Sequence, residues 1–456
     1  MKADAGVGSL YQAHQKVYPR ETTGRFQRLR VLAVFVLLGL YYVLPWIDIG
    51  GRQSVLFDLP ARRFYVFGLV LWPQDFIFLT WLLVMAGLSL FFFTALAGRL
   101  WCGFACPQTV WTEVFLKMEL WIEGDRNKRI KLDRGPWTRE KIIRKTVKHA
   151  VWVLFALWTG FTFVGFFTPI RVLADAVLTL TTGPWETFWI LFYGLATWGN
   201  AGFLREQVCM YMCPYARFQS AMFDRDTLII AYDGGRGEPR GARPRAADPK
   251  ALSLGDCIDC KACVQVCPTG IDIRKGLQYE CIACAACVDA CDAVMDKMNY
   301  PRGLIRYSSQ NAMDGAPARV LRPRTLVYGA LLGLLFTGFV LALYLRNPLG
   351  LDVIRDRNAL YRIQADGTVE NVYTLRILNK DKQTHEFRIR PVGLDAARME
   401  LADPVPRAQA GTVFSTVVRL QVPAGSFRGG RDIEFVVESL DQPALTARSR
   451  SRFIAP

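Results

Sequence analysis

Apolar runs near the roughly 20 residues that a helix needs to cross a bilayer fall at 29–47, 76–97, 147–170, 185–204 and 325–345. They predict five transmembrane helices. Residues 1–28 are polar and basic, with no short apolar core leading to a small-residue cleavage site, so the first helix is expected to stay with the chain. Lys and Arg crowd the stretches before the first run and between the second and third, and thin out after the first and third. The positive-inside rule then places the amino terminus in the cytoplasm and everything after Arg346 on the far side of the membrane. Trp46, Trp72, Trp185 and Tyr344 mark run ends as interfacial anchors do.

Beyond the fifth run the period shortens. Residues 372–377, 386–390, 412–422 and 432–437 are β-branched or alternating, separated by Gly, Pro, Asn and Asp. They predict a β-sandwich of immunoglobulin-like size without the disulfide of antibody domains. The segment 233–250, DGGRGEPRGARPRAADPK, has too few apolar residues to pack and is expected to be a mobile or ligand-ordered linker. The expected organisation is that of a multi-domain integral membrane protein. It comprises a cytoplasmic arm (1–28), a four-helix membrane region (29–232), the linker (233–250), a cytoplasmic α+β two-cluster ferredoxin-like domain (251–310), a fifth transmembrane helix (325–345) and an immunoglobulin-like β-sandwich (350–456).

Composition agrees with this pattern. The 456 residues are 52% hydrophobic and 21% charged, with a net charge of +16. Basic cytoplasmic loops account for that charge better than a nucleic-acid partner does. Twelve cysteines are too dilute for a disulfide scaffold, and all lie before residue 292, on the side assigned to the cytoplasm.

Their spacing carries the chemistry. Cys257, Cys260, Cys263 and Cys267, followed by Pro268, form C-x2-C-x2-C-x3-C-P; Cys281, Cys284, Cys287 and Cys291 repeat it, with Asp292 in place of the proline. Paired runs of this kind hold two [4Fe–4S] clusters, the fourth cysteine of each run ligating the other cluster. One cluster is expected on Cys257, Cys260, Cys263 and Cys291, the second on Cys281, Cys284, Cys287 and Cys267. Zinc sites use other spacings. Ala262, Ala283, Ala285, Ala286 and Ala290 leave room for a compact inorganic core and for N–H groups to approach its sulfurs.

The remaining cysteines form two C-x3-C-P motifs, Cys102-Gly-Phe-Ala-Cys106-Pro107 and Cys209-Met-Tyr-Met-Cys213-Pro214, each just past the cytoplasmic end of an even-numbered run. On a helix the two cysteines of a motif share one face and the proline ends the helix. The parallel second and fourth helices can bring the motifs together, and four soft thiolates with Met210 and Met212 nearby suit Cu(I). Small-residue packing and a metal-free dithiol are the alternatives, and spacing leaves open whether the thiols form one site or two. His149 at the start of the third run is expected to be interfacial, with the cysteine site as its alternative. His14 and His385 have no recognisable partner. Asp75 and Glu186 read as helix-entry residues. Three histidines, one of them near a run, provide no pair of axial ligands for an intramembrane haem. No phosphate-binding glycine loop is present, so electrons must come from an outside donor. The basic stretch 126–148 reads as topological charge, with an acidic partner or anionic lipid as its alternative.

The order of these parts, with WCGFACPQTVW, CMYMCPYARFQ, RGEPRG and the twin ferredoxin runs, resembles the CcoG/FixG/RdxA family of cytochrome c oxidase accessory proteins. The resemblance covers nearly the whole chain. It implies a multi-pass protein of the bacterial inner membrane with a periplasmic immunoglobulin-like domain. It also implies electron transfer serving assembly of cbb3-type oxidase, with reduction of Cu(II) to Cu(I) as the activity. The family's cluster cysteines fall on the eight above, and its Cys-Pro motifs on Cys102, Cys106, Cys209 and Cys213. Membrane lipid, oxidase assembly factors or copper chaperones, and an unidentified electron donor are the implied partners. A quinol-linked conduit resembling the membrane subunits of periplasmic nitrate reductase systems and a non-catalytic assembly scaffold are the rival readings.

Overall fold

The computed structural model describes residues 16–247, 252–357, 359–381, 383–394, 397–423, 425–426 and 428–456. His14 and the first part of the amino-terminal arm lie outside them. The chain divides after residue 336 into two compact units.

In the first unit, α1 (Arg25–Val43), α2 (Phe76–Ala97), α3 (Leu100–Phe104), α4 (Pro107–Glu123), α5 (Arg126–Arg134), α6 (Arg139–Val164), α7 (Ile170–Leu178), α8 (Pro184–Thr197) and α9 (Pro214–Met222) follow one another. Helix α2 is apolar on every side and its Phe76, Ile77, Leu83 and Phe93 are exposed, the mark of a helix whose surroundings are hydrocarbon. A short antiparallel sheet, β1 (Val55–Asp58), β2 (Arg63–Val66) and β3 (Leu69–Leu71), separates α1 from α2.

Among the described residues four helical stretches are long and apolar enough to cross a membrane: Arg25–Trp46, Pro73–Ala97, Arg139–Val164 and Pro323–Tyr344. The expected fourth span, 185–204, differs. Its α-helix ends at Thr197, and Trp198–Leu204 continue as wider π-helical turns. Gly199, Ala201 and Gly202 leave those turns thin, so Ala201 and Gly202 are buried and Gly202 approaches the Trp152 ring. Arg205, at φ 41°, closes the segment by donating its N–H to the Asn200 carbonyl at 2.7 Å.

The cysteine-rich region is bracketed by β4 (Ile229–Tyr232) and β5 (Ile305–Ser308), antiparallel with Ile230 opposite Tyr307. It carries one longer helix, α10 (Ala286–Met298). Ile230, Ile273, Val288, Met295, Leu304 and Ile305 form its core together with Cys257, Cys263 and Cys291. Of the segment 233–250, expected as a mobile or ligand-ordered linker, residues 233–247 are stitched to this region and 248–250 lie outside the described residues. Arg236 pairs with Asp256 at 2.5 Å, Arg243 donates to the Gly255 carbonyl at 2.7 Å, and Arg306 pairs with Asp233 at 3.0 Å. Arginine forks supply here the cohesion that apolar side chains do not. The helix α11 (Pro323–Tyr344) follows.

The second unit contains two antiparallel sheets built from β6 (Leu349–Arg355), β7 (Val369–Asn379), β8 (His385–Val392), β9 (Arg398–Leu401), β10 (Arg407–Ala408), β11 (Val413–Val422), β12 (Gly429–Ser439) and β13 (Thr446–Ala455). One has the order β9-β11-β7-β6 and the other β10-β8-β12-β13. Alternate residues Tyr373, Leu375 and Ile377 meet Phe387, Phe435 and Phe453 in one core. The Tyr373 hydroxyl donates to the Arg452 carbonyl at 3.0 Å, tying one sheet to the other.

Candidate metal centres

The two ferredoxin loops share an unusual backbone. In Cys257–Cys263 the residues on either side of the middle cysteine, Asp259 and Lys261, have φ of 47° and 56°; in Cys281–Cys287 the corresponding Ala283 and Ala285 have 54° and 58°. Left-handed conformation costs a non-glycine residue about 1 kcal/mol or more, yet each loop adopts it twice. The turn directs successive N–H groups inward, the geometry of an anion-binding concavity. Ala283 N–H is directed at the Cys281 sulfur and Ala286 N–H at that of Cys284.

The fourth cysteines cross over. Cys291 faces Cys257, Cys260 and Cys263 electrostatically, and Cys267 faces Cys281, Cys284 and Cys287. A small pocket is lined by the second quartet, Cys267, Cys281, Cys284 and Cys287, with Cys263, Pro268, Ile273 and Ile282 among the other walls. None of the twelve cysteines is in a disulfide. Burial pushes Cys281 and Cys291 up to about 12 and Cys263 to about 11, so binding a metal group here must release protons. Inward amides, a thiol-lined cavity and crossed fourth cysteines fit [4Fe–4S] clusters.

Asp292, where the first run has a proline, lies inside α10 and accepts the Gly303 N–H at 2.9 Å. A proline there would delete a helical N–H; Pro268 follows a helical turn that has already ended.

The membrane-edge motifs are built alike. Cys102 lies on α3, while Cys106 is the extended residue before α4, whose first residue is Pro107. Cys209 lies on a π-helical turn, Val208–Met212, and Cys213 is the extended residue before α9, which begins at Pro214. Proline is suited to a first helical position, where its missing N–H costs nothing. The motifs meet: Cys102 is electrostatically coupled to Cys106, Cys209 and Cys213, and Cys209 to Cys106 and Cys213. Gln108 Nε2 donates to the Asn200 and Arg205 carbonyls at 2.9 and 3.1 Å, joining the helix after the first motif to the turn before the second. Burial lifts the Cys102 thiol to about 12 and Cys209 to about 11, with Arg99 opposing in both. Met210 is half-buried and Met212 is 59% exposed.

The same motifs are packed on the second ferredoxin loop. Cys102 and Cys209 join Ile282, Cys284, Ala286, Cys287 and Ala290 in one apolar cluster. A Cβ added to Gly103 would lie 2.8 Å from Cys284 Cα and from the Ile282 carbonyl oxygen. Glycine between the two cysteines of the first motif is thus what lets the backbones touch.

Several residues at this junction escape a reading of the sequence. Arg99 is 4% exposed and donates to the Tyr279 and Ala216 carbonyls, bridging loop and second motif. Arg30 is buried, paired with Glu113 and electrostatically coupled to Cys284. Asp289, on α10, accepts the N–H groups of Phe26 (3.2 Å) and Gln27 (2.7 Å), capping α1 from another element. A Cβ on Gly24 would collide with that carboxylate. As span-end arginines, Arg99 and Arg30 are indistinguishable in sequence from topological charge; the Gly in Cys-Gly-Phe-Ala-Cys was the one available signal.

Part of the basic stretch 126–148 is turned inward: Arg129, Lys141 and Lys148 are buried, while Lys128, Lys131, Arg134 and Arg139 stay exposed. Glu119 pairs with Arg129 (3.1 Å), Arg205 (3.0 Å) and Lys148 (3.5 Å), and Glu123 with Lys145 and Lys148 (2.9 and 2.8 Å). His149 stacks on Phe203, with ring centroids 5.6 Å apart, beside Trp152 and Trp198. Asp75 accepts the Trp72 N–H at 3.0 Å at its helix entry, Glu186 lies in the first turn of α8, and His385 pairs with Asp381 at 2.9 Å.

Comparison with known proteins gives three family matches. Residues 77–129 match a "4Fe-4S binding domain", 204–310 a "4Fe-4S dicluster domain", and 339–456 the "IG-like fold at C-terminal of FixG". The chain is 41% identical over 432 residues to the nitrogen fixation protein FixG of Rhizobium meliloti, covering 87% of this chain and 82% of that one. It is 43% identical over 400 residues to protein RdxB of Cereibacter sphaeroides, covering 85% and 84%. A crystal structure of a FixG-related protein from Vibrio parahaemolyticus aligns with 24% of this chain and 97% of its own, at 29% identity and a TM-score of 0.22.

Proposed function

The chain belongs to the FixG/RdxA family and is an iron–sulfur electron-transfer protein of that type, and from that premise we propose that it reduces Cu(II) to Cu(I) at the membrane edge for assembly of a cbb3-type oxidase. The observation that carries this reading is the backbone contact between Gly103 and the Ile282–Cys284 segment, which sets one thiol of each membrane-edge motif, Cys102 and Cys209, against the second ferredoxin loop.

Clusters held by the eight ferredoxin cysteines supply electrons singly, which matches a one-electron acceptor. The chain's own residues set the route. Exposed Cys260 marks the solvent side, for a soluble or membrane-borne donor. Buried Arg99 and Arg30 place positive charge beside the second loop, favouring the electron there. Thiols at the edge, with Met210 and Met212 following, favour the Cu(I) product over Cu(II). In this reading the arm and ferredoxin domain are cytoplasmic, the apolar helices lie in the inner membrane, and the carboxyl-terminal domain is periplasmic. Assembly factors or a copper chaperone then collect the product.

The test is anaerobic reduction of the purified chain followed by Cu(II) with a Cu(I)-specific chelator. Stoichiometric cluster reoxidation with matching Cu(I) is expected. Clusters that reduce with a quinol analogue but stay reduced in the presence of Cu(II) favour the quinol-linked conduit, and clusters that never change valence favour a scaffold.

A further inference from the structure

We infer that Arg240, Lys261 and Lys275 form a cationic docking face around exposed Cys260, and that this face receives electrons from a small soluble protein whose own one-electron centre lies in an acidic surface. The inference rests on the route proposed above, in which electrons enter at the Cys257–Cys263 loop, and adds the chemical class of the donor.

The loop itself shows which charges the fold uses. Asp259 and Lys261 occupy the two left-handed positions that Ala283 and Ala285 occupy in the second loop, so the turn needs neither charge. Asp259 is tied to Arg274 at 2.5 Å. Lys261, beside Cys260, is exposed and forms no ion pair among the described residues, and the same holds for Lys275, which follows Arg274.

The polar segment 233–247 brings the third cation. Gly241 donates its N–H to the Cys257 carbonyl at 3.2 Å and Gly255 donates to the Pro239 carbonyl at 2.8 Å, so Arg240 is held beside the first quartet with its side chain exposed. Arg240 faces Glu238 at 3.6 Å, an open pair of the kind that is worth little in water. The other three carboxylates of residues 236–247 and 252–275 are engaged more closely, Asp256 by Arg236 and both Asp259 and Asp272 by Arg274. What meets solvent around Cys260 is therefore mainly positive. Residues 276–290, which hold Cys281, Cys284 and Cys287, contain no Lys or Arg. Topological charge would fall on both loops alike, so its rule does not account for a collar on one of them.

An exposed ligand cysteine ringed by cations suits a protein partner, because charge complementarity orients an acidic face and brings two centres together. A neutral quinol in the membrane would gain nothing from these charges. In the transfer, one electron passes from the donor's reduced centre to the first cluster, taking it from [4Fe–4S]2+ to [4Fe–4S]+ while the donor is oxidised by one electron. No bond forms or breaks.

The experiment uses the full, cluster-loaded chain in nanodiscs of neutral lipid, with a photoreduced plant-type [2Fe–2S] ferredoxin as the acidic probe. Binding of the oxidised probe and stopped-flow reduction of the chain by the reduced probe should both weaken at least about tenfold as salt rises from about 20 to about 500 mM. Arg240→Glu/Lys261→Glu should reproduce that loss at low salt, whereas reduced methyl viologen, a cation, should react faster with this variant than with wild type. Lys128→Glu/Lys131→Glu, on the exposed side of α5, should bind the probe as wild type does. Salt-independent binding by the wild-type chain overturns the proposal without any variant. Loss of binding in the α5 variant alone also overturns it, as does loss of wild-type binding when anionic lipid replaces neutral lipid, which would make the collar a lipid-facing surface. Cu(I) yield from the chemically reduced chain reads the proposed activity with no carrier present, so the two can fail separately.

Discussion

At the Cys257–Cys263 loop the middle cysteine, Cys260, is exposed, and the adjoining Asp259 is tied to Arg274 at 2.5 Å. At the Cys281–Cys287 loop the middle cysteine, Cys284, is 7% exposed, faces Arg30, and has the Gly103 backbone against it. The two loops have the same left-handed turns, so the difference lies in what is packed on them. One site meets solvent and has the largely buried Arg274 side chain beside Cys263, while the other meets the membrane-edge motifs with Arg99 and Arg30 beside Cys281 and Cys284. In the proposed reading, equal local conformations serve as an entry at the solvent-facing site and an exit at the site beside the membrane-edge motifs.

The largest break in that comparison is expected from Gly103→Val. Its side chain has no room against Cys284 Cα, and forcing it in should cost about 1–3 kcal/mol of stability. The motif and the loop then separate. Stopped-flow reoxidation of the reduced chain by Cu(II) should slow at least about tenfold, since a misplacement near 1 Å at a reacting junction already costs on the order of 100-fold. Iron content should stay unchanged. Wild-type reoxidation rates would remove this contact from the route.

Chelation sharpens the contrast next. The exposed site should lose its iron first, so bleaching by a chelator should be biphasic, with the fast phase coming from the site containing Cys260. Cys260→Ser should abolish that phase and spare the slow one, as followed by visible absorbance and EPR. Equal bleaching of both sites would mean that access does not distinguish them.

A smaller effect tests the charges. Arg99→Gln removes a buried positive group coupled to Cys281. The midpoint potential of the second site should drop on the order of tens of millivolts, with the first site unmoved. Arg99→Lys keeps the charge and should restore most of the potential, whereas a purely structural role for the guanidinium would leave Lys no better than Gln.

What could be read from the sequence, and what could not, follows from how far each signal reaches. Cysteine spacing is fixed by the chain, so the eight ferredoxin positions and the pairing of two Cys-Pro motifs were visible there, as were the alternating strands whose buried residues Tyr373, Leu375 and Ile377 build the core of the second unit. Apolar length gave α1, α2, α6 and α11, yet missed that Gly199, Ala201 and Gly202 would widen the end of the 185–204 run into π-helical turns. Arginines at 236 and 243 carry no apolar signal, so the segment they anchor read as loose. The buried partners of Glu119 and Glu123 looked like surface charge, because burial of a lysine beside a glutamate separated from it by 20 or more positions is a property of packing. Arg99, Arg30 and Gly103 belong to the same class.

Asp289 offers the finest test of the comparison, since it lies between Cys287 and Cys291 and ties the helix of the second loop to the start of α1. Its carboxylate takes two N–H groups that α1 cannot satisfy internally, and its negative charge sits at the positive end of that helix. Asp289→Ala should therefore destabilise the junction by about 1 kcal/mol, with Asp289→Asn keeping part of the cap and losing less. The first loop has no such link to α1 among the described hydrogen bonds. Hydrogen exchange at Phe26 and Gln27 should accelerate in the alanine variant, while amides around Cys257 to Cys263 keep their protection. If both loops loosen together, the second loop is not anchored through this cap and the asymmetry between the two sites must arise at Arg99 and Gly103 alone.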